Sequence, residues 1–528
     1  MAKGGDGMET DQRQVQEAKG PGPERGRERD EGIGTKKRAA ADNSGTQNGA
    51  NARHREAGNA PGSLRSRRGV VAGAEMPTQS HPRSARARAR VVSESGCSPL
   101  EESPERNKGR EGSLDGPVPA ETVWEGEGGS LGSAPRLRRP LRVLLVGHQF
   151  QVPSEGQAKA AALAGLGDLH LEAITPERYR EAEVRWRFPI APVSNRYRFH
   201  VEKVVLPWAG PAKWYLQWYP DLPRTLCEFR PDIIDIWEEP WSLLSVEICW
   251  LRDKLLPDAR LISETEQNIN RTLPPPFEWF RSYTFRKADF LVARNSEAIR
   301  VARSKGYRGP ARVVGNGVDL ELFRPRDRDA CRKIFGIHGF AVGYAGRLVP
   351  EKGLLDLVRA VERMPQDVSL WVSGDGPLRE SLQQNGSRNR WVGALPREKL
   401  PEFLSALDVL VLPSHTTARW KEQFGRVLVE AQACEIPVIG ANSGAIPEVI
   451  GEAGILFEEG DTSALLRALE HLYEEPQLRI QLARKGRAQV ELQYGWESIA
   501  CQMRDIYREL EPSGSRLEFA ENVETVRK

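Results

Sequence analysis

The chain has 528 residues, 39% of them hydrophobic, with 76 Lys+Arg against 73 Asp+Glu and a formal net charge of +3. That length exceeds what one hydrophobic core organises, which predicts two or more folded units. Residues 1–140 hold 24 Lys+Arg and 20 Asp+Glu, so the +3 of the whole less the +4 of this segment leaves −1 on the remaining 388 residues, a balance that argues against a nucleic-acid-binding body.

Residues 1–140 are crowded with Gly, Ser, Pro, Ala and Arg and carry almost no sustained apolar run. Such a segment cannot bury enough apolar surface to offset its ordering entropy, which predicts a disordered low-complexity segment. Within it, Arg83-Ser84-Ala85-Arg86-Ala87-Arg88-Ala89-Arg90 reads either as a basic arm toward nucleic acid or anionic lipid or as a solvated tail. A start of translation downstream, for instance at Met76, is a third reading. The six cysteines lie far apart with no CxxC pair, which fits a reduced cytoplasm without structural zinc. No apolar run reaches the roughly 18 residues of a membrane span, and the N-terminus lacks the apolar stretch of a signal peptide. The expectation is a cytoplasmic protein, soluble or peripheral on the cytoplasmic face of a membrane.

At Leu141 the texture changes. Leu141-Arg142-Val143-Leu144-Leu145-Val146, ending in Gly147-His148, reads as a buried parallel strand. Strand-like runs follow at 231–236, 259–263 and 289–293, separated by longer helix-compatible stretches. Alternating β and α elements predict a doubly wound parallel sheet over 141–310. A second series, at 311–314, 340–345, 368–372, 409–412 and 436–439, predicts another Rossmann-like unit over 311–494. Two such units in tandem leave a cleft at their C-terminal strand edges, where open α/β sheets bind ligands. Residues 495–511 carry Ile499, Met503, Ile506, Tyr507 and Leu510 at helical spacing and predict an amphipathic closing helix, with a frayed tail over 512–528.

Three groups of residues carry chemistry. In Gly346-Arg347-Leu348-Val349-Pro350-Glu351-Lys352-Gly353, two cations after a strand can converge on one anion, and a glycine-flanked turn offers free backbone N–H groups. The site suits a diphosphate; a charged solvated turn is the alternative. In Glu422-Gln423-Phe424-Gly425-Arg426-Val427-Leu428-Val429-Glu430, carboxylates eight apart lie about two helical turns from each other, so with Glu422 at the helix start both can flank one extended ligand. A helix N-terminus at Phe424-Gly425 adds donors for sugar hydroxyls or phosphate. The same pair also reads as two solvated surface carboxylates. Turns at Gly374-Asp375-Gly376-Pro377, Val392-Gly393-Ala394-Leu395 and Asn442-Ser443-Gly444 each follow a strand.

In order and spacing these motifs, with Val314-Gly315-Asn316-Gly317-Val318-Asp319 and Phe323-Arg324-Pro325, resemble glycosyltransferase family 4 over roughly 141–510. The resemblance implies a GT-B fold, two Rossmann-like domains facing across a cleft. It implies a retaining glycosyltransferase that uses a nucleotide sugar as cosubstrate, without metal or other cofactor. Arg347 and Lys352 would hold the donor diphosphate, Glu430 the ribose, and Glu422 the donor sugar beside Phe424, Gly425 and Val427, with Gly393 and Leu395 along the base. The departing charge would be met by the two cations, and no protein nucleophile is required. The donor is expected to be a UDP- or GDP-hexose, and the acceptor a glycan, a lipid-linked sugar or a small molecule.

The first unit departs from the family pattern. Where many members carry a double glycine, this chain has Gly147-His148-Gln149-Phe150-Gln151-Val152-Pro153-Ser154-Glu155-Gly156, and Gly156 alone stands for it. A histidine that many members place against the donor sugar is missing from Ser263-Glu264-Thr265-Glu266-Gln267-Asn268, with Gln267 as its expected replacement. His148 faces either the reacting centre or a structural partner, and Glu238 or Glu239 is a candidate for acceptor hydroxyls. The stretch Val205 to Tyr219 holds three Trp and two Tyr after Lys- and Arg-rich sequence, which suits a membrane interface, a sugar-stacking acceptor site or core packing. The rival readings are a GT-B nucleotide-sugar epimerase and a non-catalytic sugar-nucleotide scaffold. The absence of a strand-linked GxGxxG argues against a nicotinamide enzyme.

Overall fold

The computed structural model describes residues 139–180, 186–384 and 386–511. Apart from 139 and 140, the segment expected to be disordered lies outside them, as does the expected tail over 512–528.

Among the described residues the first lobe has nine strands: β1 (Leu141–Val146), β2 (Leu169–Pro176), β3 (Tyr179–Arg180), β4 (Trp186–Arg187), β5 (Arg198–Glu202), β6 (Ile233–Ile236), β7 (Arg260–Thr265), β8 (Phe290–Ala293) and β9 (Ala311–Val313). Seven of them form a parallel sheet in the order β5-β2-β1-β6-β7-β8-β9, and β3 and β4 pair as a small antiparallel ladder beside it. The central strands are Val-, Ile- and Leu-rich because helices cover both faces, leaving no solvent side to demand alternation. Strand β9, expected to open the second unit, pairs with β8 and is instead the edge of this first sheet, Leu291 standing opposite Ala311. Its apolar pattern marked a strand but carried no information about its partner.

The second lobe contains β10 (Phe340–Ala345), β11 (Val368–Ser373), β12 (Asn389–Gly393), β13 (Val409–Leu412), β14 (Val438–Ala441) and β15 (Gly454–Phe457), ordered β12-β11-β10-β13-β14-β15 and parallel throughout. The strand order reverses between β10 and β13, and in the first sheet between β1 and β6. Crevices at such reversals, outside the carboxyl ends of the strands, are where open α/β sheets place ligands.

The helix Trp496–Glu509 returns to the first lobe, where Ile499, Met503, Ile506 and Tyr507 pack with Leu141, Val143, Ala160 and Leu163. The Gly-Asn-Gly motif is the seat of this crossing. A Cβ on Gly317 would stand 2.2 Å from the Trp496 ring, so only glycine lets the chain pass. Beneath the helix lies a buried charge network. Lys159 contacts Asp235 at 3.1 Å and also Glu264, Arg294 pairs with Glu264, and the Tyr507 hydroxyl donates to Asp235 at 2.7 Å. Burial and the neighbouring Glu264 push the Asp235 carboxyl up. Burial acts the same way on Glu264, but Arg294 and Lys159 outweigh it and hold that carboxyl down. Charges this deep are tolerable only because each meets an opposite one.

Candidate functional site at the strand-order reversals

Both glycine turns of the second lobe converge on its reversal point. After β10 the chain runs through Gly346 and Arg347 to a short turn ending in Gly353, whose φ of 65° and approach to the Pro413 carbonyl exclude a side chain. This packing holds Lys352 against the end of β13. Its Nζ lies 2.6 Å from Glu422 Oε2, and the same oxygen accepts from Ser414 Oγ at 2.9 Å. The Trp420 ring stands 4.9 Å from the ammonium.

Glu422 does not begin the helix, as expected from spacing. The helix spans Arg426–Ala433 with Gly425 as its N-cap at φ 81°, so Glu422 is carried on the loop before it and Glu430 within it. The helix starts at Gly425 because its left-handed conformation suits glycine, and the loop brings Phe424 and Gly425 to the pocket wall. Burial raises the Glu430 carboxyl, opposed by Arg397, whose Nη1 lies 2.8 Å away.

These groups enclose a cavity of about 680 Å³. Of the expected donor-site residues, Arg347, Lys352, Leu395, Glu422, Phe424, Gly425, Val427 and Glu430 line it. Gly393 does not. Its carbonyl accepts from Gly374 N at 2.9 Å and Ser373 Oγ at 3.2 Å, so it supports the wall from behind while Ala394 and Leu395 face inward. The wall also includes Asn316, Arg397, Arg426 and, from the first lobe, Glu266.

The first lobe's expected residues divide differently. Gln267 is buried, and its Oε1 accepts from Ile269 N at 3.0 Å, so it stabilises its own turn; Glu266, one residue earlier, is the side chain that reaches the cavity. Gly156 is not in the wall either. A Cβ there would stand 2.6 Å from the Gln149 and Phe150 backbone, which makes it a packing glycine, while Glu155 beside it crosses the cleft to pair with Arg426. Arg426 outweighs the effect of burial on Glu155 and holds its carboxyl down. Two further bonds cross nearby: Asn268 Nδ2 donates to the Glu422 carbonyl at 2.8 Å and Asn295 Nδ2 to the Gln423 carbonyl at 2.7 Å. The loop carrying the catalytic candidates is therefore gripped from the first lobe.

His148 lies outside the cavity wall, at the first sheet's own reversal. Its Nδ1 is 2.6 Å from Glu238 Oε1, its backbone N–H donates to the same oxygen at 2.8 Å, and its ring stacks on Tyr179 with centroids 3.9 Å apart. The second Glu238 oxygen is buried without a partner. Glu239 accepts from Thr265 Oγ1 at 2.6 Å and from Glu266 N at 3.0 Å, yet burial still pushes its carboxyl up to about 7. Glu238 and His148 thus form one pair, and Glu239 faces the neighbouring strand.

Local motifs showed the residues of the second lobe. Arg397 escaped notice because its partner is distant in sequence, and although Glu155 and Arg426 each stood inside a stretch already quoted, nothing in either stretch pairs them. Among the described residues, no group of three or more His, Cys, Asp or Glu is gathered closely enough to hold a metal ion.

Residues 339–475 match the family described as Glycosyl transferases group 1. The chain is 33% identical over 245 residues to a D-inositol 3-phosphate glycosyltransferase of Streptomyces avermitilis, covering 42% of this chain and 52% of that one. It is 32% identical over 209 residues to a GDP-mannose-dependent monoacylated alpha-(1-6)-phosphatidylinositol monomannoside mannosyltransferase of Corynebacterium glutamicum, covering 36% and 54%. The aligned region spans about half the length of these two relatives. Among solved structures, a sucrose-phosphate synthase from Thermosynechococcus elongatus superposes with a TM-score of 0.53 at 22% identity, over 70% of this chain and 99% of that one. HepE of Anabaena, in complex with UDP and glucose, gives 0.54 at 19%, over 70% and 100%. These likenesses establish the GT-B fold. A D-inositol 3-phosphate glycosyltransferase of Saccharomonospora viridis aligns over 348 residues at 33% identity, covering 57% of this chain and 79% of that one, and the chain belongs to the group 1 glycosyltransferase family.

Proposed function

We propose that the chain transfers a hexose from a UDP- or GDP-linked donor to a hydroxyl of a glycan, a lipid-linked sugar or a small molecule, with retention at the anomeric carbon. The observation that carries this reading is the gathering of Arg347, Lys352, Glu422 and the helix N-terminus at Gly425 around one cavity. An anionic diphosphate finds two cations and the backbone N–H groups of a helix N-terminus there. Glu422, held by Lys352 and Ser414, accepts from donor-sugar hydroxyls, and Glu430, held by Arg397, accepts from the ribose.

In the transfer step the bond from the anomeric carbon to the diphosphate oxygen breaks and a bond to the acceptor oxygen forms. The acceptor's proton passes to the leaving phosphate. Charge that develops on the diphosphate is met by Arg347 and Lys352, and no metal enters this reading. The His148–Glu238 pair and Glu239, at the first sheet's reversal, form the acceptor side. Support for a nucleotide-sugar donor also comes from the relatives, one of which is named as GDP-mannose-dependent. A reduced compartment such as the cytoplasm accords with the free thiols of Cys227, Cys249, Cys331 and Cys434.

The test is nucleotide release from a panel of UDP-, GDP- and ADP-sugars by the wild type, Lys352→Ala and Glu422→Ala. Turnover of one donor, abolished by both substitutions, is the expected result and names the donor. No binding or turnover of any donor overturns the reading in favour of a non-catalytic scaffold.

A further inference from the structure

We infer that the first lobe carries a docking surface for a lipid bilayer with anionic headgroups, formed by the segment from Trp186 to Trp218. Of the fifteen large apolar side chains exposed on the described residues, eight lie in this segment, among them Phe188 at 63%, Ile190 at 58%, Val193 at 55% and Leu206 at 51%. Single exposed apolar residues are ordinary; more than half of them falling in one segment is what singles that segment out as the place for a docking surface. From 186 to 218 the sequence has five Lys and Arg against one acid, Glu202. That acid is buried and accepts from Thr225 Oγ1 at 2.7 Å, and Arg198 meets the buried Glu172 of the neighbouring strand at 3.2 Å, so Arg196, Lys203 and Lys213 keep the balance of the segment positive.

The apolar side chains are held outward by the backbone that carries them. Gln157 clamps the first stretch: its Nε2 donates to the Ile190 carbonyl at 3.0 Å and its Oε1 accepts from Val193 N at 3.1 Å. Val205 and Trp218 form an antiparallel bridge with bonds of 2.9 and 3.1 Å. The guanidinium of Arg180 lies 4.8 Å from the Trp208 ring centroid and 5.9 Å from that of Trp186, joining the β3–β4 ladder to the strip that follows. Leu206 adopts a left-handed φ of 53° while remaining half exposed, an unfavourable backbone state that keeps a leucine in solvent.

The mixture decides the partner. The buried centre of a protein interface is depleted of charge, whereas here Arg196, Arg198 and Lys203 alternate with the apolar residues. Tryptophan beside arginine and lysine is the composition of the bilayer interface, where rings sit at headgroup level and cations meet anionic lipid. No helix among the described residues is long and apolar enough to cross a membrane, so the contact is peripheral. Gln157 is two residues from Glu155, which spans the cleft, so docking here brings the mouth of the cleft to the bilayer. This inference stands whatever the donor and acceptor prove to be.

The test is co-sedimentation of the full chain with phosphatidylglycerol-containing vesicles and with pure phosphatidylcholine vesicles, at low and high salt. One variant combines Phe188→Ser with Ile190→Ser and another combines Arg196→Glu with Lys203→Glu; all four positions are exposed, and a thermal melt checks that each variant folds. The expected result is salt-sensitive binding to the anionic vesicles, weakened about tenfold or more in each variant. Three results overturn the inference: no association with anionic vesicles; binding that both variants leave intact, which assigns it to other parts of the chain; or a variant-sensitive affinity for soluble oligosaccharide without vesicle binding, which makes the surface a glycan site.

Discussion

Lys352 Nζ and Glu422 Oε2 stand 2.6 Å apart at the end of β13, with Ser414 Oγ on the same carboxylate oxygen. Their side chains retain only 14% and 10% of their exposure, so the pair is shielded enough for loss of either charge to be felt by the other. Lys352→Ala removes a cation from the diphosphate position and leaves Glu422 without its counterion. The expected effect on kcat/KM for donor turnover is a loss of about a hundredfold or more. Ser414→Ala, which removes one hydrogen bond and leaves the ion pair, is expected to cost about tenfold or less, near the 1 kcal/mol of a typical hydrogen bond. Steady-state kinetics on the three proteins checks the ranking, and a Ser414→Ala loss as large as that of Lys352→Ala would contradict it.

Glu155 and Arg426 are 271 positions apart in the chain and meet across the cleft. Arg426 also lines the cavity, so the clasp joins lobe closure to the donor site. Glu155→Gln and Arg426→Gln are each expected to raise the donor KM more than they lower kcat. In a double-mutant cycle on stability the two should couple by about 1–3 kcal/mol, because the second substitution removes a charge already left unpaired. Additive effects would show that the two residues act independently.

How much of this was legible in the sequence follows from how local each feature is. Strands β10 and β13 stand out as apolar runs closed by glycine or proline, and Arg347, Lys352, Glu422 and Glu430 sit in motifs whose members are near one another in the chain. Strand β5, Arg-Phe-His-Val-Glu, lies at the sheet edge with Arg198 and Val201 exposed and Glu202 buried, so it has neither an apolar run nor a clean alternation to mark it as a strand. Arg397 with Glu430 and Glu155 with Arg426 are tertiary pairs, and no spacing rule encodes them. The same limit placed β9 in the wrong sheet, since an apolar run specifies a strand and leaves its neighbour open.

Glu239 makes stability depend on pH. Burial raises its carboxyl from an ordinary 4.5 to about 7, so the folded state favours the protonated form. A group raised in this way contributes its full stability below the unfolded value and loses it as pH rises through the folded one. Between about pH 5 and about pH 8 the wild type should therefore weaken relative to Glu239→Gln, by up to ~3 kcal/mol. Denaturant titrations of both proteins at the two pH values measure it, and parallel pH profiles would count against the assignment.

The buried network under the closing helix yields the sharpest contrast between breaking a charge pair and removing it. Lys159 is 2% exposed and neutralises Asp235 and Glu264 together, while Tyr507 brings the helix into the same cluster through Asp235. Lys159→Met leaves two carboxylates facing each other with Arg294 alone, and is expected to destabilise the protein by about 3–5 kcal/mol. Tyr507→Phe keeps the ring's packing and removes one donor, at a cost of about 1–3 kcal/mol. Combining Lys159→Met with Asp235→Asn removes one charge of each sign, so the double variant should be more stable than Lys159→Met alone, because what destabilises is an uncompensated charge in the interior. Thermal denaturation of the four proteins decides the matter: a double variant less stable than Lys159→Met would mean that the network is held by specific hydrogen bonds to Asp235, and that the helix depends on that carboxylate more than on charge balance.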